Sequence, residues 1–486
     1  ALDANTTANY NTAVGADALG ANTTGTNNVA LGRDAGKTQT TLNGCTWIGT
    51  SAGQVNIADN NTGVGAGALY SNTTGTQNTA VGTGIYGSTQ GALGLNTTGS
   101  HNTSVGCRSL RVNTTGSNNT AIGDRALQNN TTQANNVAIG YRALINQTAA
   151  DQNTAVGADA MFTNTTGEYN TAMGYMALYS STTASGNVAF GYQALLSNTT
   201  GNRNTGLGYQ CLASVTTSAY NTAVGYAAGD AINTGEGNTL LGDFAGSGIT
   251  SSNHNVAIGR NCLSLGTDGI QENVAIGYAA MYNASGGDYN VAIGSHAGNA
   301  CTTGGYNVCV GKDAHLQGTT ASYNTAIGYR AGYSNTTASQ NTFVGYRAGQ
   351  ASNASDVTYI GFDSGLHATG ASNTALGHRT MDASSCTGSK NTAIGRETLG
   401  DLTTGGENTV LGYLAGTNIT TADYNVVIGS ETTTLTTGGS NVIIGRNAGQ
   451  SLSTGNGNVF LGYKAGSSSN TDSQLYIARS NTGVSN

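Results

Sequence analysis

The sequence predicts an all-β protein: a parallel β-roll, or β-solenoid, of about 27 coils with a repeat of about 17 residues. Three observations carry that prediction. A strand-like kernel recurs along the chain, reading Asn, then Thr or Val, a small residue, a large apolar residue and Gly, as in NTAVG at 11–15, NVALG at 28–32 and NVAIG at 136–140. Counted at its closing Gly, from Gly15 to Gly462, the kernel occurs 27 times; of the 26 spacings, nineteen are 17 residues, four are 16, two are 18 and one is 24. A fixed period with one short strand per period marks a solenoid, whose turns bury apolar side chains only by stacking on one another. Composition is the third observation: 74 of 486 residues are Gly, none is Pro, and 8% are charged.

The kernel is the first element to justify. Three residues before the Gly stands Thr in 17 copies and Val in 10, and one before it a large apolar residue in every copy. Residues two apart share one face of a strand. This pair is therefore expected to point inward, and the residue between them outward: Ala in 15 copies, with Trp47, Phe343, Tyr359 and Phe460 among the exceptions. A second apolar pair follows three and four after the Gly, as in Ala18–Leu19 and Ala143–Leu144. It is expected to form a second short strand in each coil, joined to the first by turns such as NTTG at 22–25, 72–75 and 164–167. The Asn four before the Gly is present in 25 of 27 copies, Asn11, Asn28, Asn136, Asn170, Asn255 and Asn324 among them. Stacked at one level, these side chains are expected to form an amide ladder, each bonding to the coil above and below. The Gly permits a positive φ or a tight bend. Proline is absent because nearly every backbone N–H of a stacked coil is needed as a donor.

Coils stacked at ~4.8 Å would make a rod on the order of 130 Å long, with few apolar side chains per turn and a poor core for its size. The expected remedy is several rolls packed along a common axis through the small Ala face, preferably as a homotrimer. The repeat makes 1–466 one continuous shaft and leaves 467–486 as a non-repeat end segment. The single 24-residue spacing holds an inserted loop near 83–91. Insertions in solenoids become loops on one face, which makes Tyr86 a candidate surface contact.

The composition also excludes function classes. A net charge of −7 with no basic run excludes a nucleic-acid partner, which needs cations to neutralise phosphates. No apolar stretch approaches the ~18 residues of a membrane span, so no membrane insertion is expected. The seven cysteines form no CxxC and no paired spacing, and the six histidines fall in different columns or distant coils, so neither disulfides nor a metal site is predicted. No HExxH or phosphate loop is present, and the GxG-type matches are products of the repeat; neither catalytic residues nor a cofactor is expected. One acidic pair has a spacing that chemistry could use. Asp17 and Asp34 stand two after their Gly in adjacent coils, about 5 Å apart, a separation that retaining glycosidases use. The competing reading is two solvated edge acids or a calcium contact, and Asp230 with Asp243 and Asp356 with Asp363 are read the same way.

Tyrosine is the side chain that stands out, because its 24 copies are columnar. Ten lie directly after the kernel Gly, including Tyr141, Tyr175, Tyr192, Tyr209 and Tyr226; seven lie five before it, including Tyr169, Tyr220, Tyr289, Tyr306 and Tyr323. Stacked tyrosines can stabilise a roll or seal a subunit contact; the functional alternative is an exposed strip that binds sugar rings or a surface.

The NVAIG kernels at 136–140, 255–259 and 290–294 resemble the head repeats of YadA-like trimeric autotransporter adhesins, left-handed parallel β-rolls with a shorter period. The stretch NTAIGYRAGYSNTTASQNTFVGYRAG at 324–349 is similar to repeats of phage tail fibres and bacterial tail-fibre-domain proteins. LYIARSNTGVSN at 475–486 resembles the segment that precedes an S74-type intramolecular chaperone, a domain that trimerises such fibres and then cuts itself off. The resemblance implies a left-handed homotrimer on a virion surface or otherwise extracellular. Its partners would be itself, a host surface glycan or protein receptor, and other virion or fibre proteins. The expected function is a non-enzymatic structural fibre attaching a phage to its host. The alternatives are a bacterial cell-surface trimeric adhesin or extracellular filament subunit and, as a minor one, an ice-binding solenoid, disfavoured because the best Thr column is expected to face inward.

Overall fold

Each kernel folds as a single three-residue strand, because Thr or Val, a small residue and a large apolar residue suit an extended backbone and the following Gly ends it. The computed structural model describes residues 1–84, 90–266 and 269–478. Strands β1 (Thr12–Val14) to β14 (Thr239–Leu241) lie in one compact unit, Ala1–Phe244, and β15 (Val256–Ile258) to β28 (Leu475–Ile477) in a second, Ala245–Asn486. Within each unit consecutive strands pair in parallel, kernel on kernel: Thr12↔Val29, Ala13↔Ala30 and Val14↔Leu31 in the first, Val256↔Val274 and Ile258↔Ile276 in the second. The chain is thus an all-β parallel solenoid of about 27 turns, with no helix among the described residues. The long spacing does not disturb the register, since Thr79 still pairs with Thr103. Within 467–486, Leu475 pairs with Val459, and Gln474 donates its N–H to Asn458 Oδ1 at 2.8 Å, so one further rung follows the last kernel.

The strands face opposite to the sequence expectation. The middle residue is inside: Ala30, Ala138 and Ala189 are fully buried, as are Trp47, Phe343, Tyr359 and Phe460. The flanking pair points out, leaving Val29 39%, Leu31 48% and Phe190 53% exposed. The interior explains the choice. The opposite wall of many coils carries a fully buried large residue four after the Gly, such as Leu19, Leu144 and Leu178. One Ala against one Leu fills a thin coil, whereas two large residues per strand would overpack it. Where the middle residue is large, the opposite wall is Gly. Gly53 and Gly36 lie against Trp47, Gly349 against Phe343, Gly365 against Tyr359 and Gly466 against Phe460; a Cβ on Gly36 would stand 2.7 Å from Trp47 Cδ1. Trp47 Nε1 donates to Gln39 Oε1 at 2.9 Å.

The expected second strand is also corrected. The segment after the Gly is a run of turns in which the residues two and four after it are left-handed, as in Asp17 (φ 54°) and Leu19 (φ 48°). A left-handed non-Gly residue costs about 1–2 kcal/mol, and the stack holds it there. The backbone still bonds between coils: Asp34 N–H donates to the Ala16 carbonyl (2.9 Å) and Leu19 N–H to that of Ala35 (3.0 Å). Donors are therefore engaged in turns as well as strands, which extends the reason for the missing prolines. The kernel Gly is required twice over. Gly15 has φ +131°, and a Cβ there would stand 2.6 Å from the Gly32 carbonyl oxygen.

Candidate functional site

The conserved geometry of the coil sets side chains in rows, and the Asn row is the most regular. Asn28 donates its backbone N–H to Asn11 Oδ1 (2.9 Å), accepts the Cys45 N–H on its own Oδ1 (2.9 Å) and donates Nδ2 to the Leu42 carbonyl (2.7 Å). Asn136, Asn170, Asn255 and Asn324 repeat this pattern, accepting from Asn153, Asn187, Asn273 and Asn341. All five are buried, and Asn11, in the first coil, is half-buried. The row therefore bonds chiefly side chain to backbone, with longer amide-to-amide contacts such as Asn187 Nδ2 to Asn170 Oδ1 (3.2 Å) added to it. A shorter amide-to-amide ladder exists elsewhere, in the NTTG turns: Asn96 Nδ2 donates to Asn72 Oδ1 (2.7 Å) and Asn113 Nδ2 to Asn96 Oδ1 (2.8 Å). Sequence reasoning took those asparagines as turn formers only; their buried stacking is legible in the recurrence of NTTG at one offset.

The tyrosine rows are brought together in part. Tyr175, Tyr192, Tyr209 and Tyr226 form a parallel stack with centroids 5.4, 5.0 and 5.0 Å apart, and Phe244 meets Tyr226 edge-on. The four tyrosines are 41–48% exposed, but the faces of Tyr192 and Tyr209 are covered by their neighbours. The stack presents ring edges and hydroxyls, so its interior cannot take a sugar ring face-on. Tyr141 stands apart, with the Arg142 guanidinium 4.7 Å from its centroid and that guanidinium paired to Asp159 at 2.8 and 2.9 Å. Tyr86 lies outside the described residues. In the second unit Tyr329, Tyr346, Phe362 and His378 stack in the same way. Phe362 and His378 were missed because only tyrosines were counted in that row.

Lys37 lies between the acids weighed for catalysis, its Nζ 3.0 Å from both Asp17 Oδ2 and Asp34 Oδ1. The hydrogen bond from that ammonium holds the Asp17 carboxyl below its ordinary value, the opposite of what a general acid needs. Asp363 is bound to Arg347. Burial raises the Asp230 carboxyl, and its Oδ1 has no partner. All seven cysteines are free thiols, and burial pushes Cys45 and Cys301 up to about 11 and Cys211 to about 12. His315 occupies a fully buried place in the row that holds Leu19, Leu144 and Leu178 in other coils; neither ring nitrogen has a partner, and burial lowers its pKa to about 4. Among the described residues no cluster of three or more His, Cys, Asp or Glu side chains could hold a metal ion. The chain matches no protein-family model, and no curated protein is similar to it.

Proposed function

We propose that the chain is a structural fibre or adhesin shaft that assembles as a homotrimer and attaches to a host cell surface, most simply as a phage tail fibre. The observation that supports this reading is the outer face of the strands. In the first unit Val29, Leu31, Ile48, Ile122, Ile139, Val188, Phe190, Leu207 and Val224 are each exposed by more than a third. Leu31 stacks in register on Ile48, Ile122 on Ile139, and Phe190 on Leu207 and then Val224. Soluble monomers rarely leave a contiguous apolar strip of that extent open, and such strips mark association surfaces. The association expected through Ala is thereby reassigned to the Val, Ile and Leu rows. The number three comes from the kernels' resemblance to trimeric adhesin heads. Fluorescently labelled protein should bind bacterial cells saturably. The double variant Ile139→Asp, Phe190→Asp, which puts charges in the strip, should lose ~10²-fold or more in apparent affinity as avidity is lost. Equal binding by the variant, or no saturable binding to any cell type, would reject this reading.

A second reading gains from the corrected facing. Thr46, Thr62 and Thr79 lie on the outer face beside Ile48, Val64 and Val81, so the inward Thr column that counted against ice binding is absent. Strong thermal hysteresis by a monomeric preparation would favour an ice-binding solenoid over the fibre.

A further inference from the structure

The row five residues before the kernel Gly is left-handed throughout, whichever residue occupies it, as at Asn27, Tyr169 and Tyr289 (φ 59–60°). In the second unit it carries an unbroken stack, Tyr289, Tyr306 and Tyr323, with centroids 4.9 and 5.1 Å apart. In the first unit the same row reads Tyr169, Gly186, Arg203 and Tyr220. The Arg203 guanidinium lies over the Tyr220 ring, 5.7 Å from its centroid, with Nη1 donating to Tyr220 Oη at 3.4 Å. Gly186 thus leaves one rung vacant, between the ring of Tyr169 and the guanidinium of Arg203, two coil spacings or about 10 Å apart. A surface cleft lies at this place, with Thr183 and Asn202 on its rim.

We propose that the vacant rung is a binding slot for a single pyranose ring. A ring of one-rung thickness, at the ~5 Å spacing of the intact stack, would touch both walls, its C–H face on Tyr169. The rim decides between ring types. Asn202 Oδ1 is taken up by the Ser185 N–H at 2.7 Å, which leaves Nδ2 to donate; Arg203 has N–H groups beyond the one held by Tyr220, and Thr183 offers a hydroxyl. A sugar meets these with its own hydroxyls, whereas an aromatic side chain fits the walls and leaves the rim unmatched. The inference deepens the attachment reading by naming a ligand class and rests on that reading only for the ligand's source.

The test is saturation-transfer NMR on the intact protein with methyl β-D-glucopyranoside and methyl β-D-galactopyranoside as probes. Wild type should bind at least one with a millimolar Kd. Gly186→Tyr should abolish that binding while keeping the fold, because tyrosine already holds this conformation at 169 and 220 and a Cβ at 186 meets only Arg203 Cγ, at 3.5 Å. Tyr169→Ala should weaken binding at least tenfold. Unchanged binding in Gly186→Tyr, or no binding of either glycoside to wild type, overturns the proposal; so does p-cresol binding in their place and being lost in Gly186→Tyr, which would make this an aromatic slot. Retention of the wild-type protein on cells separates the two claims. Glycoside binding without retention leaves the slot standing and overturns attachment, and retention without glycoside binding does the reverse.

Discussion

Replacing Trp47 by Ala would empty the interior of neighbouring coils at once, since the indole is fully buried and lies against Gly36, Gly53 and Gly63. A buried Trp→Ala change costs about 3–5 kcal/mol. The indole also bonds Gln39 Oε1; Gln39 is itself buried and its Nε2 has no partner, so the variant leaves the whole amide unsatisfied, about 1–3 kcal/mol more. Because solenoid stability is a sum of local and nearest-neighbour terms, the loss should be local. Amide hydrogen exchange reads it directly: the N–H groups of Val29, Thr46 and Thr62, which bond across coils to Cys45, Asn61 and Asn78, should exchange at least ~10³-fold faster, while amides of the second unit stay unchanged. Adding Gly53→Leu restores the Ala-and-Leu pairing of the other coils, in a left-handed position like that of Leu19, and should recover at least ~2 kcal/mol of the loss. A change of less than threefold in Trp47→Ala would mean that the middle residue of the strand is not inside, and the account of the core would fall.

Asn204→Ala removes the acceptor of the Asn221 N–H and the donor to the Ser218 carbonyl; two buried groups left unpaired cost about 2–6 kcal/mol, read as faster exchange at Asn221. His315 binds its proton less readily in the fold, at about 4, than its ordinary 6.5, so its contribution to stability is intact above about pH 6.5 and is lost as pH falls towards 4. Linkage puts the loss at about 3 kcal/mol; His315→Leu should remove that dependence from denaturation midpoints measured between pH 7 and 4. Iodoacetamide under native conditions should label Cys107, which is only half-buried, well before Cys45, Cys211 and Cys309, whose thiols are buried and held protonated; peptide mass spectrometry would show the order.

The features legible in the sequence are those that recur at a fixed offset. The period, the strand at the kernel, the Asn row and the Gly bend follow from 27 aligned copies. Facing was not legible from alternation alone, because a period of two says which residues share a face and not which face is inside. The deciding signal is a pairing between rows: a large residue at Trp47, Phe343, Tyr359 or Phe460 coincides with Gly six residues later, at Gly53, Gly349, Gly365 and Gly466, where most other coils carry a larger residue. The turn run at Asp17–Leu19 was hidden by its apolar residues, which suggest a strand; only the stacked backbone fixes Leu19 as left-handed. The slot at Gly186 becomes visible once its row is known to hold stacked rings elsewhere, since a single Gly in a Gly-rich chain has no meaning by itself.

The outward Val, Ile and Leu rows carry the functional account, and sedimentation equilibrium of the intact chain tests them most directly. A trimer gives a species of about 146 kDa, three times the 48.6 kDa chain, that dissociates in the Ile139→Asp, Phe190→Asp variant. A stable 48.6 kDa monomer at micromolar concentration, with its apolar rows open to water, would contradict it.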